Sequence, residues 1–132
     1  ADLYRTLGNE AAAREILETG IALNADDGSL WFSLALLEVR EGNAEQGLQA
    51  LAKAASLEET PGYYHYVLAV AQNDQGLSTE ALATLKATHR AAPGQPNVLA
   101  ALMQYSQLAG DRQSAQRYRD ELRATVQAAG LQ

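Results

Sequence analysis

Residues 28–61 read GSLWFSLALLEVREGNAEQGLQALAKAASLEETP, and residues 62–95 read GYYHYVLAVAQNDQGLSTEALATLKATHRAAPGQ. Each stretch is 34 residues long, and they abut without a gap. The phase extends both ways: Gly8, Gly42, Gly76 and Gly110 keep one register, and Ala13, Gly47, Ala81 and Ala115 another. Leu17, Leu51 and Leu85 keep a third, closed by Arg119. A fixed period of this size marks a repeat array, whose units bury their apolar faces by stacking on neighbours. We read one domain over 1–132, with repeats near 1–27 (partial), 28–61, 62–95 and 96–128. Because the phase puts Ala1 inside a repeat, the expectation is a piece of a larger protein.

Within each unit the residues spell helix, short turn, helix. Gly-Asn and Gly-Asp pairs at Gly8-Asn9, Gly42-Asn43 and Gly110-Asp111 read as a helix stop followed by an N-cap, with Gly76 a further stop. Asp27 is placed to cap the helix that follows, and Gln46 stands three residues after Asn43 as in a capping box. Thr60-Pro61 and Gln95-Pro96 read as helix starts with proline at the first helical position. The apolar spacing predicts Ala13, Ile16, Leu17 and Ile21 on one face of a helix over 10–23. It predicts Leu48, Leu51, Ala52 and Ala55 on one face over 44–57. The last helix, about 112–128, carries a narrow stripe of Ala115, Tyr118, Leu122 and Val126, with Arg112, Gln116, Arg119 and Arg123 opposite. The result is seven helices plus a stub at Leu3–Leu7. Small residues at Ala35, Ala69, Gly47 and Ala81 let the helix backbones approach closely.

Composition narrows the function classes. The net charge is −6, and it is uneven: residues 1–61 hold eleven Asp/Glu against four Lys/Arg, residues 62–132 five against six. An acidic first half repels nucleic acid and anionic membrane, so neither is an expected partner. No apolar run approaches the ~20 residues of a spanning helix. Cysteine is absent, which removes disulfides and thiolate chemistry from these residues. No phosphate-cradling glycine loop or nucleophile elbow occurs, and neither histidine has a second ligand at metal spacing. We expect no enzyme, no cofactor and no metal. His65 reads as a partly buried core residue, and His89, near a helix end beside Arg90, as solvated.

The units resemble the tetratricopeptide repeat (TPR), whose signature is W-x2-L-G-x2-Y, then A-x3-F, then P, on a 34-residue period. Trp31, Leu34 and Ala35 match its first cluster, with His65, Leu68, Ala69 and Leu99, Leu102, Met103 as weaker echoes. Ala81 with Leu85 and Gly47 with Leu51 match the second, and Pro93 the last. The tyrosine is kept only as Tyr4; Glu38, Gln72 and Ser106 replace it. The resemblance implies an all-α, right-handed α-solenoid of antiparallel helix pairs, about three and a half to four repeats long. A fainter resemblance, carried by YYHYVLAVAQNDQG and GDRQSAQRYRDEL, is to the C-terminal TPR segments of bacterial multihaem cytochrome-like proteins. It leans the expected compartment toward the bacterial periplasm, although no C-x-x-C-H haem motif occurs here.

The TPR resemblance also implies a concave groove, lined by first helices, that binds a peptide or protein segment. Carried onto this sequence, the groove residues are Phe32, Leu36, Val39 and Arg40, then Tyr63, Tyr66, Val70 and Asn73, then Asn97, Ala100 and Gln104. Phe32, Leu36, Tyr66 and Val70 form its expected apolar patch. The TPR subtype that grips chaperone C-termini uses Lys, Asn and Arg here; the equivalent places hold Phe32, Leu36, Tyr66, Val70, Ala100 and Gln104, which disfavours that role. The expected function is a protein-interaction scaffold. The alternative is a structural domain whose groove is filled by its own chain or by another copy, as a homo-oligomer.

Overall fold

The structure, a computed structural model, describes the backbone over residues 2–130 and the side chains over residues 8–130. Tyr4 and the side chains of Leu3–Leu7 lie outside the described residues. The described residues form α1 (Asp2–Leu23), α2 (Gly28–Arg40), α3 (Ala44–Ser56), α4 (Tyr63–Asp74), α5 (Ser78–Ala91), α6 (Pro96–Leu108) and α7 (Arg112–Ala128), with no strand among them. Contacts divide the chain into two compact units, Ala1–Glu59 and Thr60–Gln132.

Three helix ends follow the glycine register. Gly42, Gly76 and Gly110 adopt φ of 82°, 81° and 83°, a left-handed conformation that costs a residue with Cβ roughly 1–2 kcal/mol. Each is followed by the same closing bond. Asn43 N–H donates to Glu38 O (2.8 Å), Leu77 N–H to Gln72 O (2.9 Å) and Asp111 N–H to Ser106 O (2.9 Å), the six-to-one bond of a Schellman stop. The expected stop at Gly8 is not made, and α1 runs straight through Gly8-Asn9. Glycine permits a left-handed turn without compelling it, and here the helical hydrogen bonds continue at a propensity cost of about 1 kcal/mol.

The capping expectations divide along chemistry. Asp27 accepts from Ser29 N–H (3.0 Å) and Asp111 from Ser114 N–H (3.0 Å), as expected. Asn43, expected to cap α3 with Gln46, makes no side-chain cap bond. Asn43, Leu77 and Asp111 occupy one repeat position; leucine has no side-chain acceptor, and of the two residues that could cap only Asp111 does. Thr60-Pro61 does not open α4 either: the helix begins at Tyr63, with Gly62 as its N-cap. Gln95 Nε2 takes Pro61 O at 2.9 Å and so ties that residue to the turn before α6. The Gln95-Pro96 start holds, with proline in the first turn of α6.

In the first unit, α2 and α3 make the core from Ala35, Leu37, Ala50, Leu51, Ala54 and Ala55, all buried. Ala52 is exposed, against expectation, since Ala50 and Ala54 supply the stripe. Gly47 is the point of closest approach: a Cβ there would stand 2.9 Å from Val39 Cγ2. Ile16, expected on the packed face of α1, is 70% exposed. The half-buried residues Ala13, Arg14, Leu17, Gly20 and Ile21 follow the 3.6-residue period, and Ile16 lies about 100° from their centre. In the second unit one cluster gathers Ala69, Ala81, Leu85, Val98, Leu99, Leu102, Tyr105 and Tyr118, with Tyr66, Leu82, Met103 and Leu122 packed on it.

Candidate functional site

The entry to α4 and the entry to α6 together build a cleft inside the second unit. Gly94, at φ 84°, reverses the chain after α5. Gln95 Nε2 donates to Ala92 O (3.0 Å) and to Pro61 O (2.9 Å), and so clamps the start of α4 beside the start of α6. Between them lies a cleft of about 290 Å³, lined by Gly62, Tyr63, Tyr66, Gly94, Gln95, Pro96, Asn97 and Val98. Val98 is fully buried and gives it an apolar floor. Tyr63 is 58% exposed, and its ring centroid lies 6.4 Å from that of Tyr66 at an interplanar angle of 36°. Tyr64 tilts against Tyr63 at 6.3 Å. No side chain on the walls is charged at neutral pH. The chemistry on offer is aromatic area with amide and phenol hydrogen-bonding groups.

Three of the groove residues named from the sequence, Tyr63, Tyr66 and Asn97, meet in this cleft. Val70 and Asn73 follow Tyr66 at helical spacing on α4 and are half-buried. Gln104, seven residues after Asn97 on α6, is exposed, and Ala100 between them is half-buried. In the first unit Leu36 and Val39 are 43% and 51% exposed, and Phe32 is half-buried. Arg40 reaches Glu10 of α1, Nε to Oε1 3.4 Å, so its charge has a partner within the unit.

Two polar constellations were missed in the sequence. Arg14 of α1 pairs with Glu38 and Glu41 of α2, and more loosely with Glu18 at 3.8 Å. Glu38 is only 5% exposed, and hydrogen bonds from Arg14 to Glu41 and Glu38 push the guanidinium pKa further up. The signal was present: Glu38 stands where the repeat signature has tyrosine, and a carboxylate there needs a cation. The second is His89. Expected in solvent, it is largely buried, with Nε2 2.8 Å from Glu121 Oε2 and its ring edge-on to Tyr118 at 6.1 Å. Only the packing of α5 near α7 brings these residues together, so spacing could not reveal them. His65 is half-buried, as expected. No group of three or more His, Cys, Asp or Glu that could hold a metal exists among the described residues. No helix there is long and apolar enough to cross a membrane.

No protein-family model matches the chain. No curated protein matches it either. Solved structures do. A crystal structure of MamA superposes with a TM-score of 0.79 at 17% identity, over 96% of this chain and 74% of that one. A second, MamA MSR-1, gives 0.70 at 21% identity, over 96% and 72%. A third crystal structure of MamA gives 0.74 at 18% identity, over 94% and 68%. The multihaem cytochrome-like resemblance and the lean toward the periplasm find no support in these comparisons. At these identities the likeness speaks to fold alone: the chain has the all-α, TPR-like helical-repeat fold of the MamA structures.

Proposed function

We propose that this chain is a protein-interaction scaffold whose first helices present the binding surface, and that the Tyr63–Tyr66–Asn97 cleft anchors the bound segment. The single observation that carries the reading is the cleft itself: paired tyrosines over an apolar floor, 58% exposure at Tyr63, and no charge on the walls. Tyrosine is favoured at interfaces because it offers large rigid area with a polar tip at little entropic cost. A partner held there is a peptide or protein segment bound by apolar burial and amide hydrogen bonds. The half-exposed Leu36 and Val39 of α2 extend the same chemistry to the first unit. We propose binding and no catalysis.

The test is affinity capture from source-cell extract with wild type beside Tyr63→Ala and Tyr66→Phe. Tyr63 is the better truncation, because Tyr66 also packs on the core and its loss would confound folding with binding. The expected outcome is a protein retained by wild type and lost with Tyr63→Ala, at unchanged helicity and melting temperature. Equal retention by both would overturn the cleft. If the retained protein is this chain itself, the surface serves assembly between copies.

A further inference from the structure

The outer face of α7 carries chemistry that the tyrosine cleft does not use. Arg112, Gln116 and Arg119 follow one another at spacings of four and three, which puts them on one helix face. With Gln107 and Ala115 they line a second cleft, of about 390 Å³, whose only charged groups are the two guanidiniums. Each neighbouring acid has a hydrogen-bond or ion-pair partner other than Arg112 and Arg119, Asp120 through Gln116 of the cleft wall. Asp111 accepts from Ser114 N–H, Asp120 accepts from Gln116 Nε2 at 3.0 Å, and Glu121 holds His89. Arg117 lies over the Tyr118 ring at 5.1 Å. Among the described residues no ion pair engages Arg112 or Arg119.

We propose that this cleft binds an acidic protein segment, one that presents two carboxylates about 10 Å apart to Arg112 and Arg119. Seven residues of helix set the guanidinium stems about 10.5 Å apart along the axis. Two carboxylates three residues apart on a polyproline-II chain, which has three residues per turn, lie on one face about 9 Å apart. Each guanidinium matches a carboxylate with two parallel N–H donors, a fit that a point charge lacks. The amides of Gln107 and Gln116 supply partners for the backbone of the same segment. A long polyanion is disfavoured by the eleven acids against four bases of residues 1–61. A short acidic segment meets chiefly the local field, because charges more than about 10 Å away are screened at 0.1 M salt. Over residues 62–132 that local balance is six bases to five acids.

The probe is a fluorescein-labelled hexaglutamate peptide, titrated by anisotropy at about 0.1 M salt against the full chain. Wild type is expected to bind saturably, and Arg112→Gln/Arg119→Gln to bind at least tenfold more weakly at unchanged helicity. Lys86→Gln/Arg90→Gln, which removes the same charge elsewhere on the unit, should stay within about twofold of wild type. Tyr63→Ala should bind the probe like wild type, which keeps this surface distinct from the tyrosine cleft. Absence of saturable binding overturns the proposal, as does equal weakening by the two double variants. Tighter binding of a single-stranded oligonucleotide or of phosphatidylserine vesicles than of the peptide would also overturn it, by making phosphate the ligand. If the arginine variant loses helicity, the arginine side-chain Nε–Hε resonances of wild type decide. Shifts confined to Arg112 and Arg119 on peptide addition sustain the proposal, and their absence ends it.

Discussion

In the first unit the contact between α1 and α2 runs through charge, whereas in the second α6 and α7 meet through apolar side chains. Arg14 of α1 is held by Glu38 and Glu41 of α2, and Arg40 of α2 reaches back to Glu10 of α1. In the second unit Leu99, Leu102 and Tyr105 of α6 share one buried cluster with Tyr118 of α7. The first contact joins successive helix pairs and the second joins the two helices of one pair. The difference lies in what each helix brings to its packed face. That of α1 offers Ala13, Gly20 and two branched residues, too little area for burial alone, so a partly buried ion network adds to it. Apolar contact is not screened by salt; a charged one with Arg14 at 29% exposure is.

The largest effect should come from the apolar side. Leu102 is fully buried, and Leu102→Ala should cost about 3 kcal/mol in urea unfolding through lost burial plus a cavity. A loss under about 1 kcal/mol would mean the second core collapses around the hole. Arg14→Ala should cost about 2 kcal/mol by leaving Glu38 buried and unpaired. That is below the ~3–5 kcal/mol of a fully buried pair, because water reaches Arg14. Arg14→Leu/Glu38→Leu should recover most of the loss, and 1 M salt should weaken wild type more than it weakens Arg14→Ala. Equal salt responses would remove the charge side of the comparison.

Gly47→Ala should cost about 1 kcal/mol net. The gain in helix propensity, itself about 1 kcal/mol, is outweighed by a Cβ set 2.9 Å from the stiff β-branched Val39. A melting temperature above wild type would show that α2 gives way. The smallest and least selective effect is acid. Hydrogen bonds from the Ser29 hydroxyl and N–H hold the Asp27 carboxyl below its ordinary 3.8, and those from Ser114 do the same for Asp111. A pKa lowered by folding contributes stability that is fully present above about pH 3.8 and is lost as pH falls through the folded value. Each unit carries one such cap. Asp27→Asn and Asp111→Asn should therefore each flatten the acid limb of the melting curve, where salt separates the two contacts.

Much of this molecule follows from local chemistry and so could be read from the residues. The repeat period, the left-handed stops at Gly42, Gly76 and Gly110, the aspartate caps and the wet outer face of α7 each rest on one residue type in one backbone state. Glycine alone enters the left-handed region freely, and a carboxylate is among the favoured acceptors at a helix start. The misses were choices that a residue leaves open until another part of the chain arrives. Gly8 stays in its helix, and Pro61 is held out of α4 by an amide thirty-four residues away. Ile16 faces water because Arg14 and Gly20 turn the packed face of α1 away from it. His89 leaves solvent for Glu121, and Tyr63, Tyr66 and Asn97 become a cleft when two helix starts are clamped side by side. Sequence spacing places residues on a helix face; only packing between helices decides which faces meet, and both pockets and buried ion pairs are made there.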